Sequence, residues 1–115
     1  MSELLTLEAD EFLMREGEES THMYFLQAGT LGVFKIKSDK EVQIGTIYSG
    51  EIVGEMSFLD KQPRSASVKA ISKSELVVIP PEKFDSVMNE LPTWYNALIK
   101  TLLDRLRRAN SRIRI

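Results

Sequence analysis

Between Leu4 and Ile79 the chain is a succession of short β-prone runs, each cut off by glycine or by a cluster of polar residues. Leu4 to Leu7, Phe12 to Met14, Met23 to Gln27 and Leu31 to Ile36 come first; Val42 to Tyr48, Ile52-Val53, Ser67 to Ile71 and Glu75 to Ile79 follow. Alternation in Val33-Phe34-Lys35-Ile36-Lys37 and in Val42-Gln43-Ile44-Gly45-Thr46-Ile47 gives those strands one buried and one wet face. Gly17 and Gly29 fall where tight turns need a positive φ. Lys37-Ser38-Asp39-Lys40-Glu41 reads as a polar hairpin tip. Short strands at regular spacing bury their apolar faces as packed sheets, so the expected fold is mainly β, an eight-stranded β-roll or jelly roll.

The period changes at Pro80-Pro81, where proline suits a first helical turn. Phe84, Val87, Met88 and Leu91 then fall at helical spacing, which predicts a short amphipathic helix packed on the barrel. Pro92 interrupts it and opens a second helix. In that helix Tyr95, Ile99, Leu102, Leu106, Ala109 and Ile113 form a heptad seam, the pattern of a two-stranded coiled coil. The expectation is a homodimer through residues 95–113; the competing one is a single amphipathic helix lying on its own domain. Leu98 and Leu103 lie off the seam and are expected to face the barrel, and Trp94 and Tyr95 to anchor the helix start to it. The chain thus divides into residues 1–91, a roll with its first helix, and residues 92–115, a dimerisation helix.

At 115 residues there is room for one domain with one core. The absence of cysteine excludes disulfides and thiolate metal sites. No apolar run approaches the length of about 18 residues that a membrane span needs, and the expected location is cytoplasmic. The net charge of −2 divides unevenly, with −7 over residues 1–99 and +5 over residues 100–115. A basic tail suits nucleic acid or an acidic membrane surface, but equally the neutralisation of an acidic body. Direct nucleic-acid binding is not expected, because no recognition helix stands apart from the seam. His22 is the only histidine, so neither a metal cluster nor a nucleophile with its base can be assembled, and the chain is not expected to be an enzyme. That also disfavours a cupin-like metal enzyme. Met14, Met23, Met56 and Met88 read as core fillers, and Glu16, Glu18 and Glu19 as a solvated loop.

The chemistry concentrates in residues 50–70, Gly-Glu-Ile-Val-Gly-Glu-Met-Ser-Phe-Leu-Asp-Lys-Gln-Pro-Arg-Ser-Ala-Ser-Val-Lys-Ala. Glu55 and Arg64 stand nine residues apart around a short apolar stretch. A planar guanidinium with two parallel donors suits a phosphate better than a lysine does. Gly54 to Leu59 can form one short helical turn whose N–H groups favour an anion. Ser65 and Ala66 add a small hydroxyl and unhindered backbone N–H groups. Glu55 repels phosphate, so its role lies elsewhere, as acceptor for a hydroxyl. The plainer alternative is a surface ion pair of little energetic consequence.

The glycine-glutamate pair Gly54-Glu55, the short helix, and then Arg64-Ser65-Ala66 resemble the phosphate-binding cassette of the cyclic nucleotide-binding domain family. The resemblance covers nearly the whole chain: Gly17, Gly29 and Gly50 fall at the family's turn positions, and residues 103–110 look like its C-terminal helix. Within these 115 residues the resemblance predicts neither the family's helical lead-in before the first strand nor an effector domain after the last helix. The resemblance implies a cyclic nucleotide as ligand, cyclic AMP by likeness to bacterial cyclic AMP receptors, with cyclic GMP the second candidate. It also implies no resident cofactor. The implied ligand-binding residues are Val53, Gly54, Glu55, Met56, Ser57, Arg64, Ser65 and Ala66, with Glu55 on the ribose 2′-hydroxyl and Arg64 on the phosphate. Asn110 on the last helix is the candidate for adenine's edge, since an asparagine amide matches its N6/N7 face. The implied role is a signalling sensor whose C-terminal helix reports to an unidentified effector. A dimerisation module with a degenerate, non-binding cassette is the competing reading.

Overall fold

The computed structural model describes residues 3–20, 22–55 and 62–110, the side chains of Arg107 and Asn110 excepted. Two antiparallel sheets of four strands each enclose the core. One runs in the order β1 (Glu3–Leu7), β8 (Ser74–Ile79), β3 (Met23–Ala28), β6 (Ile52–Val53). The other runs β2 (Phe12–Met14), β7 (Ser67–Ala70), β4 (Thr30–Lys37), β5 (Lys40–Tyr48). Apart from the β4–β5 hairpin, consecutive strands alternate between the sheets, the winding of a jelly roll. The mainly β expectation holds.

Alternation along the strands explains where the core sits. Leu7, Leu26, Val53 and Leu76 from the first sheet meet Met14, Leu31, Val68 and Ala70 from the second. Opposite residues in the register share a face: Leu31 lies against Ile47 on one side and Ala70 on the other. The hairpin closes more tightly than the polar tip suggests. Ser38 and Asp39 both take positive φ, 51° and 64°, which is the twist a two-residue turn needs to join right-twisted strands. Pairing therefore runs out to Lys37 and Lys40.

Gly29 is a position no other residue fits. Its φ is +99°, and a Cβ there would meet Ser74 Oγ and come within 2.5 Å of the Lys73 carbonyl oxygen. The turn between β3 and β4 lies directly on the chain entering β8.

Two helices follow, α1 (Pro81–Glu90) and α2 (Thr93–Asn110). Pro81 occupies the first turn of α1, and Met88 carries its buried face. Pro92 ends the run, as the sequence predicts. The expected anchoring of α2 by Trp94 and Tyr95 is not what the structure has: Trp94 is 69% exposed and meets Tyr95 edge-on, ring centroids 5.4 Å apart. The anchor is Asn96. Its side-chain amide donates to the Met88 carbonyl at 2.8 Å, which also accepts the Leu91 N–H at the C-terminal end of α1. Leu98, expected to face the barrel, is exposed, whereas Leu103 is half-buried. Among the described residues, no helix is long and apolar enough to cross a membrane.

Candidate functional site

Arg64 organises the site, and residues far from it in sequence hold it there. Its backbone is clasped by the turn after β2: the Arg64 N–H donates to the Glu18 carbonyl at 2.8 Å, and the Gly17 N–H donates to the Arg64 carbonyl at 2.8 Å. Gly17, at φ +88°, lets that turn aim its N–H at the incoming strand. One step further along, the Glu16 N–H donates to Ser67 Oγ at 2.8 Å. The short stretch before β7 is thereby stitched to the β2–β3 turn.

The Arg64 side chain runs inward and is only 4% exposed. Its Nη1 donates to the Gly54 carbonyl at 3.1 Å and its Nη2 to the His22 carbonyl at 2.8 Å. Its Nε is buried and has no partner among the described residues. Both observed acceptors are neutral carbonyls; no carboxylate among the described residues approaches within ion-pair distance. The expectation of a dispensable surface pair between Glu55 and Arg64 therefore does not describe this arginine. Burial pulls its pKa below the ordinary arginine value, opposed by Tyr24, Glu18 and Glu55. A buried guanidinium with an unused donor lacks the counter-charge that normally accompanies one.

Gly54 makes the approach possible. Its φ is +84°, and a Cβ on it would lie 2.8 Å from Arg64 Nη1 and 3.3 Å from the His22 carbonyl oxygen. The glycine-glutamate pair is thus explained at its first position by close approach of side chain to backbone. Glu55 follows in helical conformation. Val53 pairs with Tyr24 across β6 and β3 and is buried in the core, so it offers the site its backbone. Ser65 is half-buried and Ala66 buried, immediately after the arginine. Arg64 is thus brought against Gly54, with Val53 and Glu55 flanking that glycine in sequence and Ser65 and Ala66 following the arginine. Met56 and Ser57 lie outside the described residues, as does the side chain of Asn110.

A cavity of about 320 Å³ opens beside Arg64. Leu13 and Met14 form its apolar part and Glu18, Glu19 and Ser20 its polar edge, with Tyr24 alongside the guanidinium. Burial raises the Tyr24 phenol above 10.0, an effect the Arg64 charge partly offsets. Sequence reading missed this second wall. Glu18 and Glu19, expected as a solvated loop, are exposed but also line the cavity. The available signal was weak: Tyr24 is adjacent to the site only because it pairs with Val53. His22 contributes its backbone carbonyl, and no group of three potential metal ligands occurs among the described residues.

Such an arrangement is built to take an anion. The family model of the cyclic nucleotide-binding domain matches residues 4–90. Over 98 residues the chain is 35% identical to the potassium/sodium hyperpolarization-activated cyclic nucleotide-gated channel 1 of Homo sapiens, covering 85% of this chain and 11% of the channel. The chain therefore spans only about a tenth of that relative's length. In three dimensions it is similar to the half-site-occupied form of the EAL enzyme Bd1971, with a TM-score of 0.88 at 27% identity, covering 96% of this chain and 99% of that one. Bd1971 also has cAMP-bound and cGMP-bound forms. The regulatory domain of Toxoplasma gondii PKA with cAMP is similar at a TM-score of 0.70 and 27% identity, over 74% of this chain and 33% of that one.

Proposed function

The chain belongs to the cyclic nucleotide-binding domain family, and from that premise we propose that it is a sensor of a 3′,5′-cyclic nucleotide, cyclic AMP before cyclic GMP. The observation that carries this reading is Arg64: buried, charged, beside a cavity, and with a donor left over. A cyclic phosphate supplies the missing negative charge. The Arg64 Nε and one Nη edge present a planar fork to two phosphate oxygens, the geometry that favours arginine over lysine. Ser65 and Ala66 add the N–H groups of the chain that follows, and Gly54 keeps the backbone close. Glu55 accepts the ribose 2′-hydroxyl, and Met56 and Ser57, next in sequence, are the further candidate contacts. Support for cyclic AMP comes from similarity to the Toxoplasma gondii domain, which is described with cAMP, and to Bd1971, which takes either nucleotide.

The signal leaves through the second segment, residues 92–115. Of the seam residues, Tyr95, Leu102 and Leu106 are exposed on α2, which supports pairing with a second copy over residues 95–113. Asn110 lies at the end of that helix, as the candidate contact for the adenine edge. A ligand shifts the helix only through a difference in affinity between two arrangements, so bound nucleotide must alter how α2 packs or pairs. The effector that reads the change is a separate protein or domain, and the setting is cytoplasmic signalling.

The test is calorimetry on purified, nucleotide-stripped protein, first with cyclic AMP and then with cyclic GMP. The reading expects one site per chain with micromolar or tighter affinity, about −8 kcal/mol. A folded sample giving no heat and no thermal shift with either nucleotide identifies a dimerisation module whose cassette has lost its ligand.

A further inference from the structure

An anion at Arg64 does not meet a purely positive site. Glu18 and Glu19 line the same cavity, and the charge of Glu55, next to the Gly54 whose carbonyl accepts from Arg64, also acts on the guanidinium. Arg64 is the one cation among its described lining residues. Glu18 is also held in place. Its Oε1 accepts the Arg15 N–H at 2.6 Å, while its backbone carbonyl accepts the Arg64 N–H, so the residue is fixed at both ends and its charge acts on Arg64 from beyond ion-pair distance. Arg15, three residues before Glu18, is turned onto the Phe12 ring, its guanidinium carbon 3.8 Å from the centroid. Leu13 and Met14 keep the cavity partly apolar, which lengthens the reach of every charge in it.

We infer that Glu18 and Glu19 are specificity-determining residues that admit a phosphodiester of charge −1 and disfavour phosphomonoesters such as the 5′-nucleotides. The inference rests on the cyclic nucleotide reading and deepens it. One guanidinium balances one negative charge. A monoester above its second pKa of about 6 carries nearly one more. That additional charge finds no further cation among the described lining residues, which include two carboxylates. A phosphodiester keeps a single charge at any physiological pH and avoids the penalty. Shape need not be the only means by which the site separates a cyclic nucleotide from its hydrolysis product.

The experiment compares adenosine 5′-phosphate with its methyl ester, which has the same reach and one charge fewer. Both are titrated at low ionic strength into the wild-type protein and into the Glu18→Gln/Glu19→Gln variant, at a pH where the monoester is a dianion. The wild type is expected to bind the methyl ester roughly fivefold or more tightly than the monoester, and salt is expected to narrow that gap. In the variant the gap closes, chiefly because affinity for the monoester rises. An unchanged gap, or a folded variant that gains no affinity for the monoester, overturns the inference. Cyclic AMP is titrated into the same samples: wild-type protein that fails to bind it loses the cyclic nucleotide reading itself, whereas normal binding with an unchanged gap removes only the charge filter. Should the double variant not fold, Glu19→Gln alone, at an exposed side chain, is expected to close about half of the gap.

Discussion

Replacing Arg64 with alanine separates a ligand-holding arginine from a structural one, because the two roles predict opposite balances of binding and stability. In the folded protein the side chain is 4% exposed, with one donor on each Nη engaged by a backbone carbonyl and Nε unpaired. Truncation strips the Gly54 and His22 carbonyls of that donor, at a cost of about 1–3 kcal/mol for each acceptor left dry. It also removes an uncompensated buried charge, whose desolvation penalty is several kcal/mol in the other direction. The two effects largely cancel, so the Arg64→Ala protein is expected to fold with a similar melting temperature. Binding has no such compensation. The phosphate loses its charge-assisted fork, about 2–5 kcal/mol, which is roughly 30-fold to several-thousand-fold in Kd. Arg64→Lys keeps the charge and loses the fork, and falls between the two. Calorimetry with cyclic AMP reads the affinity, and a thermal melt on the same sample reads the fold. A folded Arg64→Ala protein with wild-type affinity would refute the assignment of the phosphate to this residue. A variant that binds normally but melts far lower would show that the guanidinium serves the fold.

Glu55→Ala should erase the preference for cyclic AMP over its 2′-deoxy analogue, a preference expected at about 1.5–3 kcal/mol for a hydroxyl bonded to a carboxylate; competition binding with both nucleotides measures it. Gly29→Ala adds a steric clash with Ser74 and the Lys73 carbonyl to an unfavourable φ, whereas Gly50, at φ +95°, has open space around its Cβ position. Urea melts should therefore show Gly50→Ala costing about 1–2 kcal/mol and Gly29→Ala distinctly more. Tyr24 sets an alkaline limit: its phenol is held above 10.0 by burial, so the folded state keeps a proton that the unfolded chain releases. That contribution is complete below pH 10.0 and is lost as pH rises through the higher folded-state value; Tyr24→Phe should lose less stability than wild type between neutral and strongly alkaline buffer. Leu102→Asp together with Leu106→Asp should leave a monomer in sedimentation velocity, while a wild-type protein that is itself monomeric at high concentration would dispose of the proposed pairing.

Much of the roll is local information. Side-chain alternation, turn glycines and the prolines at positions 80, 81 and 92 act over a few residues, through sterics and hydrogen-bonding capacity that the sequence itself displays. For that reason the β-rich body, the change to helix at Pro80-Pro81 and the break at Pro92 were legible without a structure. The meeting of Gly54 with Arg64 was legible too, though through the resemblance of Gly54-Glu55 and Arg64-Ser65-Ala66 to a known cassette more than through chemistry. The electrostatic setting of Arg64 was not. Its backbone is held by Gly17 and Glu18, its guanidinium by carbonyls of His22 and Gly54, and its second wall comes from Tyr24, Glu18 and Glu19. Gly54 apart, those contacts reach segments about forty residues or more away in sequence, and nothing in a polar loop such as Glu16-Gly17-Glu18-Glu19 states which charge it will face. Trp94 makes the same point from the other direction: an aromatic pair at a helix start suggests an anchor, yet Asn96 bonds to α1 while the indole stands in solvent. Strand, turn and helix followed from local chemistry; the unpaired charge on Arg64, and the carboxylates set beside it, exist only because two sheets bring distant turns together.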